Sequence, residues 1–256
     1  MALLEVRGLT KQFGGLAAVS DLDFDVNKGE ILGIIGPNGA GKSTIFNMIS
    51  GTFQPTTGSV VFQGENITRM PAYKIAGRGI TRLYQGNVLF PNSTVVQNVL
   101  IGLHLHTNLS IFGFLFGTPA AQRRDKELYT EAMEILKYVG LENSANELAK
   151  SQPHGKQRLL GLAIAIASKP KLLLLDEPVT GMHAEEVTNM VNMIRLLRDT
   201  KGITCIVVEH NMKVVMNLCD RIVTLCYGKK ICDASPKETA ENPAVCEAYL
   251  GVDNAA

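Results

Sequence analysis

The chain has 256 residues, which is enough for one large α/β core or two small ones. Lysine and arginine number 25 against 24 aspartates and glutamates, and this net charge of +1 excludes the charge signature of a nucleic-acid binder or of an acidic tail. We therefore expect no nucleic-acid partner, and any partner must be recognised through local surface patches.

Signals for a membrane or for an oxidising compartment are not found in the sequence. Residues 1–7 lack a basic region followed by a long apolar stretch, so we predict no signal peptide. The longest aromatic and apolar run, 111–116, is far shorter than the roughly 20 residues that a membrane-spanning helix needs. The five cysteines form no C-x-x-C pair, which favours buried, reduced thiols over a zinc site. We expect a soluble protein.

Residues 36–43 read Gly-Pro-Asn-Gly-Ala-Gly-Lys-Ser and follow an apolar run, 31–35, that is typical of a buried strand. The glycines let the backbone N–H groups face phosphates, with a helix N-terminus behind them. Lys42 adds a point charge for the β and γ phosphates, and the Ser43 hydroxyl is suited to Mg²⁺. Glycine-rich turns also occur without a nucleotide, but the strand, the spacing and both side chains agree on a nucleoside triphosphate. The predicted ATP contacts here are Gly36, Asn38, Gly39, Ala40, Gly41, Lys42, Ser43 and Thr44.

The middle of the chain, 89–158, has the pattern of a helical region. Residues 126–141 carry apolar side chains close to one helical stripe, and Gly140 offers a stop. The run 109–116 is apolar and interrupted by glycine. It either packs on the helical region or forms an exposed patch that docks another protein, because contiguous exposed apolar surface usually marks an interaction site.

Four leucines, 172–175, run directly into Asp176 and Glu177. Such a run suits a strand covered on both faces in a parallel sheet, and ligands bind at the carboxyl ends of such strands. We predict that Asp176 holds Mg²⁺, through water, and that Glu177 orients or deprotonates the attacking water. Taken alone, the run is any strand that meets solvent, but the phosphate loop strengthens the catalytic interpretation.

The stretch 204–209 is another buried-strand pattern, and His210 follows it. A histidine after a strand is usually structural. This one follows the two acids by one strand–helix–strand interval, so we predict that it reaches the γ phosphate as a catalytic group.

The order of these motifs resembles that of the ATP-binding cassette (ABC) ATPases over nearly the whole chain. The resemblance assigns Gln85 to the glutamine that binds Mg²⁺ and senses the transmembrane partner. It assigns Phe13 to the aromatic residue that stacks on adenine, although a phenylalanine there is otherwise ordinary core. The implied fold class is α/β: a P-loop NTPase of ABC type, with a parallel core sheet between helices, an N-terminal antiparallel β piece and an inserted α-helical subdomain.

A single ABC ATPase domain over 1–256 is therefore expected, since the sequence has no internal repeat or low-complexity stretch. We predict that 1–88 and 159–256 form the nucleotide-binding core, RecA-like plus antiparallel β. Residues 89–158 are predicted to form the helical subdomain that carries the signature.

Within that family the chain resembles the ATP-binding subunits of branched-chain (hydrophobic) amino acid uptake transporters, on residues 11–19, 113–119 with Arg123 and Arg124, and 242–251. The resemblance implies an ATPase at the cytoplasmic face of the inner membrane, bound peripherally. It also implies two permease subunits, a second ATP-binding subunit and a periplasmic binding protein as partners, with 109–116 a candidate for permease docking. The cargo implied is branched-chain amino acids or similar small solutes.

The stretch that corresponds to the family's signature, Leu-Ser-Gly-Gly-Gln, reads Gln152-Pro-His-Gly-Lys156. In the family it begins a helix and closes over the γ phosphate held by the opposite subunit. Gly155 is kept, so its N–H is predicted to contact that ATP in trans. Pro153 offers neither hydroxyl nor N–H, so one charge-assisted hydrogen bond of about 1.5–3 kcal/mol is expected to be missing. Lys156 can restore part of it by adding a cation.

A second departure lies at 180–183, where His183 stands in place of the aspartate or asparagine that is common in the family. Both departures concern elements that act on the partner's nucleotide or on the dimer interface. We therefore favour an asymmetric heterodimer over a homodimer. Two other functions stay open: a soluble ABC ATPase of DNA repair or translation, and a regulatory subunit that binds ATP with little turnover.

Overall fold

The computed structural model describes residues 2–84, 89–103 and 119–253, with backbone alone at 119–121 and 250–253. Two predictions fall outside these residues: Gln85 as a magnesium ligand and the patch at 109–116. Both stay predictions.

Ten strands of the described residues form two sheets. In chain order they are β1 (Ala2–Phe13), β2 (Leu16–Asn27), β3 (Ile31–Ile35), β4 (Thr57–Phe62), β5 (Glu65–Asn66), β6 (Ile80–Leu83), β7 (Leu172–Asp176), β8 (Thr204–Val208), β9 (Arg221–Cys226) and β10 (Lys229–Ala234). The first sheet is antiparallel, with the order β2-β1-β4-β5. Along β2, buried Leu22, Phe24 and Val26 alternate with more exposed residues, which is the period of a strand buried on one face.

The second sheet has the order β10-β9-β3-β8-β7-β6, with β9, β3, β8 and β7 parallel and β10 antiparallel to β9. Every residue of β3, β7 and β8 is buried, which confirms the prediction of strands covered on both faces. Because these strands run in one direction, their carboxyl ends meet at one edge of the sheet.

Helices follow or connect these strands. They are α1 (Lys42–Ile49), α2 (Ala72–Gly77), α3 (Val95–Leu103), α4 (Pro119–Tyr138), α5 (His154–Ala167), α6 (Ala184–Lys201), α7 (Met212–Leu218), α8 (Pro236–Glu241) and α9 (Pro243–Asp253). The predicted helical stripe lies on α4, which ends at Tyr138, two residues before Gly140 with its φ of +74°. In the described part of the chain, no helix is both long and apolar enough to span a membrane.

The chain forms two compact units. The first consists of Met1–Arg82, Lys171–Pro178 and Val191–Ala256. Its buried apolar cluster joins both sheets to α1, through side chains such as Leu32 of β3 and Phe46 of α1. The second consists of Leu83–Pro170 and Val179–Met190, in which α3, α4 and α5 pack together. The subdomain limits proposed from the sequence, at 88 and 158, stay predictions, because compact units and functional subdomains need not share boundaries.

Candidate functional site

The phosphate loop after β3 is held by close backbone packing around two glycines. Gly36 has φ +149°, and a Cβ there would lie 2.3 Å from the carbonyl oxygen of Leu225. Gly41 has φ +101°, and a Cβ there would lie 2.6 Å from the carbonyl oxygen of Ala18. Neither position admits a side chain without strain. Gly41 is also the N-cap of α1, so the loop ends at a helix N-terminus whose first N–H groups lack intrahelical partners. Of the other predicted contacts, Asn38, Gly39 and Ser43 are exposed, Ala40 is buried and Thr44 is half-buried.

Lys42, the first residue of α1, is 6% exposed and turns back onto the loop. Its Nζ donates to the carbonyl oxygens of Gly36 at 2.6 Å and Pro37 at 2.9 Å. Burial lowers the pKa of Lys42, and the nearby carboxylates of Glu177 and Asp176 oppose this shift. The ammonium group is therefore held at the loop with two acids close by.

Glu177 and His210 form a direct contact at the sheet edge. The parallel register pairs Asp176 of β7 with Val208 of β8, and the N–H of Glu177 donates to the Val208 carbonyl at 2.9 Å. The His210 Nε2 then lies 2.9 Å from Glu177 Oε1. Glu177 has φ +49°, a left-handed conformation that costs a non-glycine residue roughly 1–3 kcal/mol and is frequent at functional sites. The two side chains predicted to be catalytic thus meet within hydrogen-bonding distance.

Glu209, which the sequence argument did not consider, fixes the backbone around His210. It is buried, and its Oε2 accepts from the N–H groups of His210 at 3.1 Å and Asn211 at 3.4 Å. A buried carboxylate needs such donors. The signal in the sequence was an acid placed directly after a run of buried β-branched residues.

Asp176 is paired with Arg82, a second residue that the sequence argument missed. The Arg82 Nη2 lies 2.6 Å from Asp176 Oδ2, and both side chains are less than 10% exposed. Arg82 Nη1 also donates to Asn47 Oδ1 at 2.6 Å. A cation within β6, three residues before Gln85, was the available signal.

Phe13 ends β1 and is 45% exposed. Its ring meets that of Phe53 edge to face, with centroids 5.6 Å apart, and Lys11 Nζ lies 5.1 Å above the Phe13 centroid. The following strand, β2, contacts the phosphate loop at Ala18. Phe13 therefore presents an aromatic surface on the hairpin that touches the loop.

The turn that corresponds to the signature, 152–156, belongs to the second compact unit, whereas the phosphate loop, Asp176, Glu177 and His210 belong to the first. Pro153 is the N-cap of α5 and supplies no side-chain hydrogen bond to the helix. His154 approaches Gly181, where an added Cβ would lie 3.2 Å from His154 Cε1. The two departures from the family pattern, at 152–156 and 180–183, are thus in contact with each other.

Glu186 covers the glycine that the signature keeps. A Cβ on Gly155 would lie 2.0 Å from Glu186 Oε1, and Glu186 Oε2 accepts from the His183 N–H at 2.9 Å. Glu186 therefore caps the start of α6, and a side chain at position 155 would have to push the Glu186 carboxylate away.

Residues 19–180, more than half of the chain, match the family model described as ABC transporter. The chain belongs to the ABC transporter family. It is an ATP-binding cassette ATPase of that family, which confirms the predicted family and fold class and implies nucleotide binding.

Relatives of this ABC ATPase match it over almost the whole length. The high-affinity branched-chain amino acid transport ATP-binding protein BraF of Pseudomonas aeruginosa is 39% identical, over 97% of this chain and 98% of the relative. The corresponding protein LivG of Escherichia coli K12 is 36% identical, over 97% and 98%. Their names describe ATP-binding proteins of branched-chain amino acid transport.

Two solved structures share the fold at 29% identity. A nucleotide-free ATP-binding cassette from an ABC transporter gives a TM-score of 0.85, over 97% of this chain and 99% of that one. An ATP-binding cassette of an ABC transporter in its ADP conformation gives 0.86, over 98% and 99%. This ABC ATPase therefore shares its fold with these two cassettes over almost their whole length.

Proposed function

We propose that this ABC ATPase hydrolyses ATP to power a membrane importer of branched-chain amino acids, or of similar small solutes. Relatives named for branched-chain amino acid transport, matched over 98% of their length, support the transport role. The contact between Glu177 and His210, with the Lys42 ammonium close by, carries the catalytic part of the proposal.

The chemistry follows from what each group can hold or move. The N–H groups of the loop and the Lys42 ammonium bind the β and γ phosphates. To do so, Lys42 gives up its hydrogen bonds to the carbonyl oxygens of Gly36 and Pro37. Glu177 aims the attacking water and accepts its proton, a role worth about 10²–10⁴ in rate. His210 donates to Glu177 through Nε2 and so keeps the carboxylate oriented, beside the γ phosphate. Phe13 provides a face for adenine.

The residues present fit a magnesium ion that is carried in with the nucleotide. No cluster of three or more His, Cys, Asp or Glu gathers as a metal centre within the described ranges. Mg²⁺ is typically held by one or two protein oxygens together with substrate phosphates, and Ser43 and Asp176 offer such oxygens, with Gln85 as a third. When bound, the ion neutralises charge that develops on the phosphates.

The partners proposed are two permease subunits, a second ATP-binding subunit and, indirectly, a periplasmic binding protein. The chain then works at the cytoplasmic face of the inner membrane. The departures at Pro153 and His183 favour a heterodimer, in which Gly155 contacts the other subunit's ATP. This chain's own ATP is hydrolysed against a regular signature from the second subunit, and the reciprocal site turns over more slowly.

Reconstitution in lipid vesicles tests this function. The chain would be assembled with its permeases, second ATP-binding subunit and binding protein, and ATP hydrolysis measured with and without leucine. We expect leucine-loaded binding protein to raise hydrolysis and drive uptake, and Lys42→Ala to reduce both strongly. Hydrolysis without any response to a series of small solutes would refute the transport role, and lack of Mg²⁺-dependent ATP binding would refute the catalytic one.

A further inference from the structure

Arg82 joins three parts of the first unit that carry different pieces of the nucleotide site. It lies on β6, and its side chain is 7% exposed. One amino group of the guanidinium contacts Asp176, the last residue of β7, and the other contacts Asn47 on α1, each at 2.6 Å. The guanidinium carbon also lies 5.6 Å from the ring centroid of Phe46. Arg82 is therefore fixed from three sides.

Stability alone is a weak reason for such an arrangement. Taking two charges out of water costs about as much as their attraction returns, and apolar residues of similar volume often serve equally well. The planar fork of arginine, in contrast, fixes the orientation of the oxygens that it contacts. At Asp176, Arg82 contacts Oδ2. The other oxygen, Oδ1, is therefore the one through which this carboxylate can bind a ligand.

The contact of Arg82 with Asn47 ties the orientation of Asp176 to the helix at the phosphate loop. Asn47 lies five residues after Lys42 on α1, the helix that begins at the phosphate loop. Because one guanidinium spans Asn47 and Asp176, the acid at the end of β7 is kept in register with the helix that binds the phosphates. A lysine has a single ammonium on a flexible stem and cannot reproduce both contacts in one plane.

We propose that Arg82 is a positioning residue of the magnesium–nucleotide site, which holds Asp176 Oδ2 and thereby presents the other carboxylate oxygen to the metal. This inference rests on the proposed function, in which Asp176 binds Mg²⁺. Residues that orient a metal ligand typically change metal affinity about 10–100-fold when they are replaced.

Equilibrium binding of a fluorescent ATP analogue, with EDTA and then with saturating Mg²⁺, tests the inference without requiring turnover. The readout is the ratio of the dissociation constants in EDTA and in Mg²⁺, together with the Mg²⁺ concentration that produces half of this change in affinity. For Arg82→Gln we expect that concentration to rise about tenfold or more, with the affinity in EDTA within about twofold of wild type. Arg82→Lys should raise this Mg²⁺ concentration as well, but by less. Arg78→Gln is the matched control, since Arg78 makes an equally short but exposed contact to Glu65 and should leave both values unchanged.

If Arg82→Gln does not fold, Asn47→Ala removes the second contact and keeps the ion pair, and a shift of about threefold in the same direction is expected. Folded Arg82 variants with the magnesium dependence of wild type would overturn the inference and leave the proposed function intact. A wild-type chain whose ATP affinity does not respond to Mg²⁺ at all would overturn both. A loss of affinity that is equal in EDTA and in Mg²⁺ would show a merely structural role and also contradict the inference.

Discussion

The residues proposed to bind the chain's own nucleotide and the turn at 152–156 are built in different ways. The first group lies at or just after the ends of buried parallel strands. Its side chains make short contacts: Lys42 with the Gly36 carbonyl and Asp176 with Arg82 at 2.6 Å, and Glu177 with His210 at 2.9 Å. The turn begins at Pro153, which gives its helix no side-chain cap, and it contacts a second loop that also departs from the family. A site held by a sheet tolerates little change, whereas a helix start can change its side chains and still present the N–H of Gly155.

The largest effect is expected from Glu177→Gln in the first group. Removing the proposed base should lower hydrolysis about 100-fold or more, while ATP binding is kept. Single-turnover hydrolysis of Mg²⁺-ATP measures this loss, with exposed Glu185→Gln as the control that should behave like wild type. If wild type and Glu177→Gln retain ATP equally, the chain is a regulatory subunit with little turnover.

Pro153→Ser would restore the hydroxyl that the signature lacks. One charge-assisted hydrogen bond of about 1.5–3 kcal/mol predicts a rise of about tenfold, and at most about a hundredfold, in ATPase activity of the chain alone. In that assay both sites must use this chain's own signature. Pro243→Ser, at an exposed first position of α9, should change nothing. An unchanged rate for Pro153→Ser would remove the part of the argument for asymmetry that rests on Pro153.

Gly155→Ala tests how tightly the turn is packed. The new Cβ would displace Glu186 from Gly155 and from its cap on His183, so we expect a loss of about 1–2 kcal/mol in the free energy of unfolding. Urea titration gives the value. Gly77→Ala, on a helix with no atom within 4 Å of the new Cβ, should be neutral or slightly stabilising. An equally stable Gly155→Ala would show that the contact is loose.

The smallest effect concerns the pH dependence of Lys42. Its pKa is lowered in the folded chain, so between that pKa and about 10.4 the unfolded chain binds more protons. The contribution of Lys42 to stability therefore rises with pH in this window, by less than about 1.4 kcal/mol per pH unit, while affinity for ATP falls.

The difference in unfolding free energy between wild type and Lys42→Met, measured against pH, isolates this contribution. The buried thiols of Cys205 and Cys219, whose pKa values burial raises to about 12, change stability in the opposite direction but do so in both proteins. A difference that does not vary with pH would show that Lys42 titrates like an exposed lysine.

The sequence was informative where chemistry and local structure coincide. The octet 36–43 directly follows a strand, and the leucine run ends in Asp176 and Glu177, so the phosphate loop and the two acids followed from short stretches. The ABC-type fold class, Gln85, Phe13 and Gly155 came from the resemblance to ABC ATPases. The contact of Arg82 with Asp176 joins residues 94 positions apart, and that with Asn47 joins residues 35 apart. Such pairs depend on strand order, which no local pattern encodes. The approach of Glu186 to Gly155 was missed because it joins the first turns of two helices, α5 and α6, whose packing no local pattern encodes either.

Steady-state ATPase activity of the chain alone, and mixed with its second ATP-binding subunit, tests the central claim most directly. We predict low activity alone, a large increase in the mixture, and loss of most of that increase when this chain carries Glu177→Gln. Equal activity per subunit in both preparations, or a mixture that is indifferent to Glu177→Gln, would contradict the assignment of the working site to this chain.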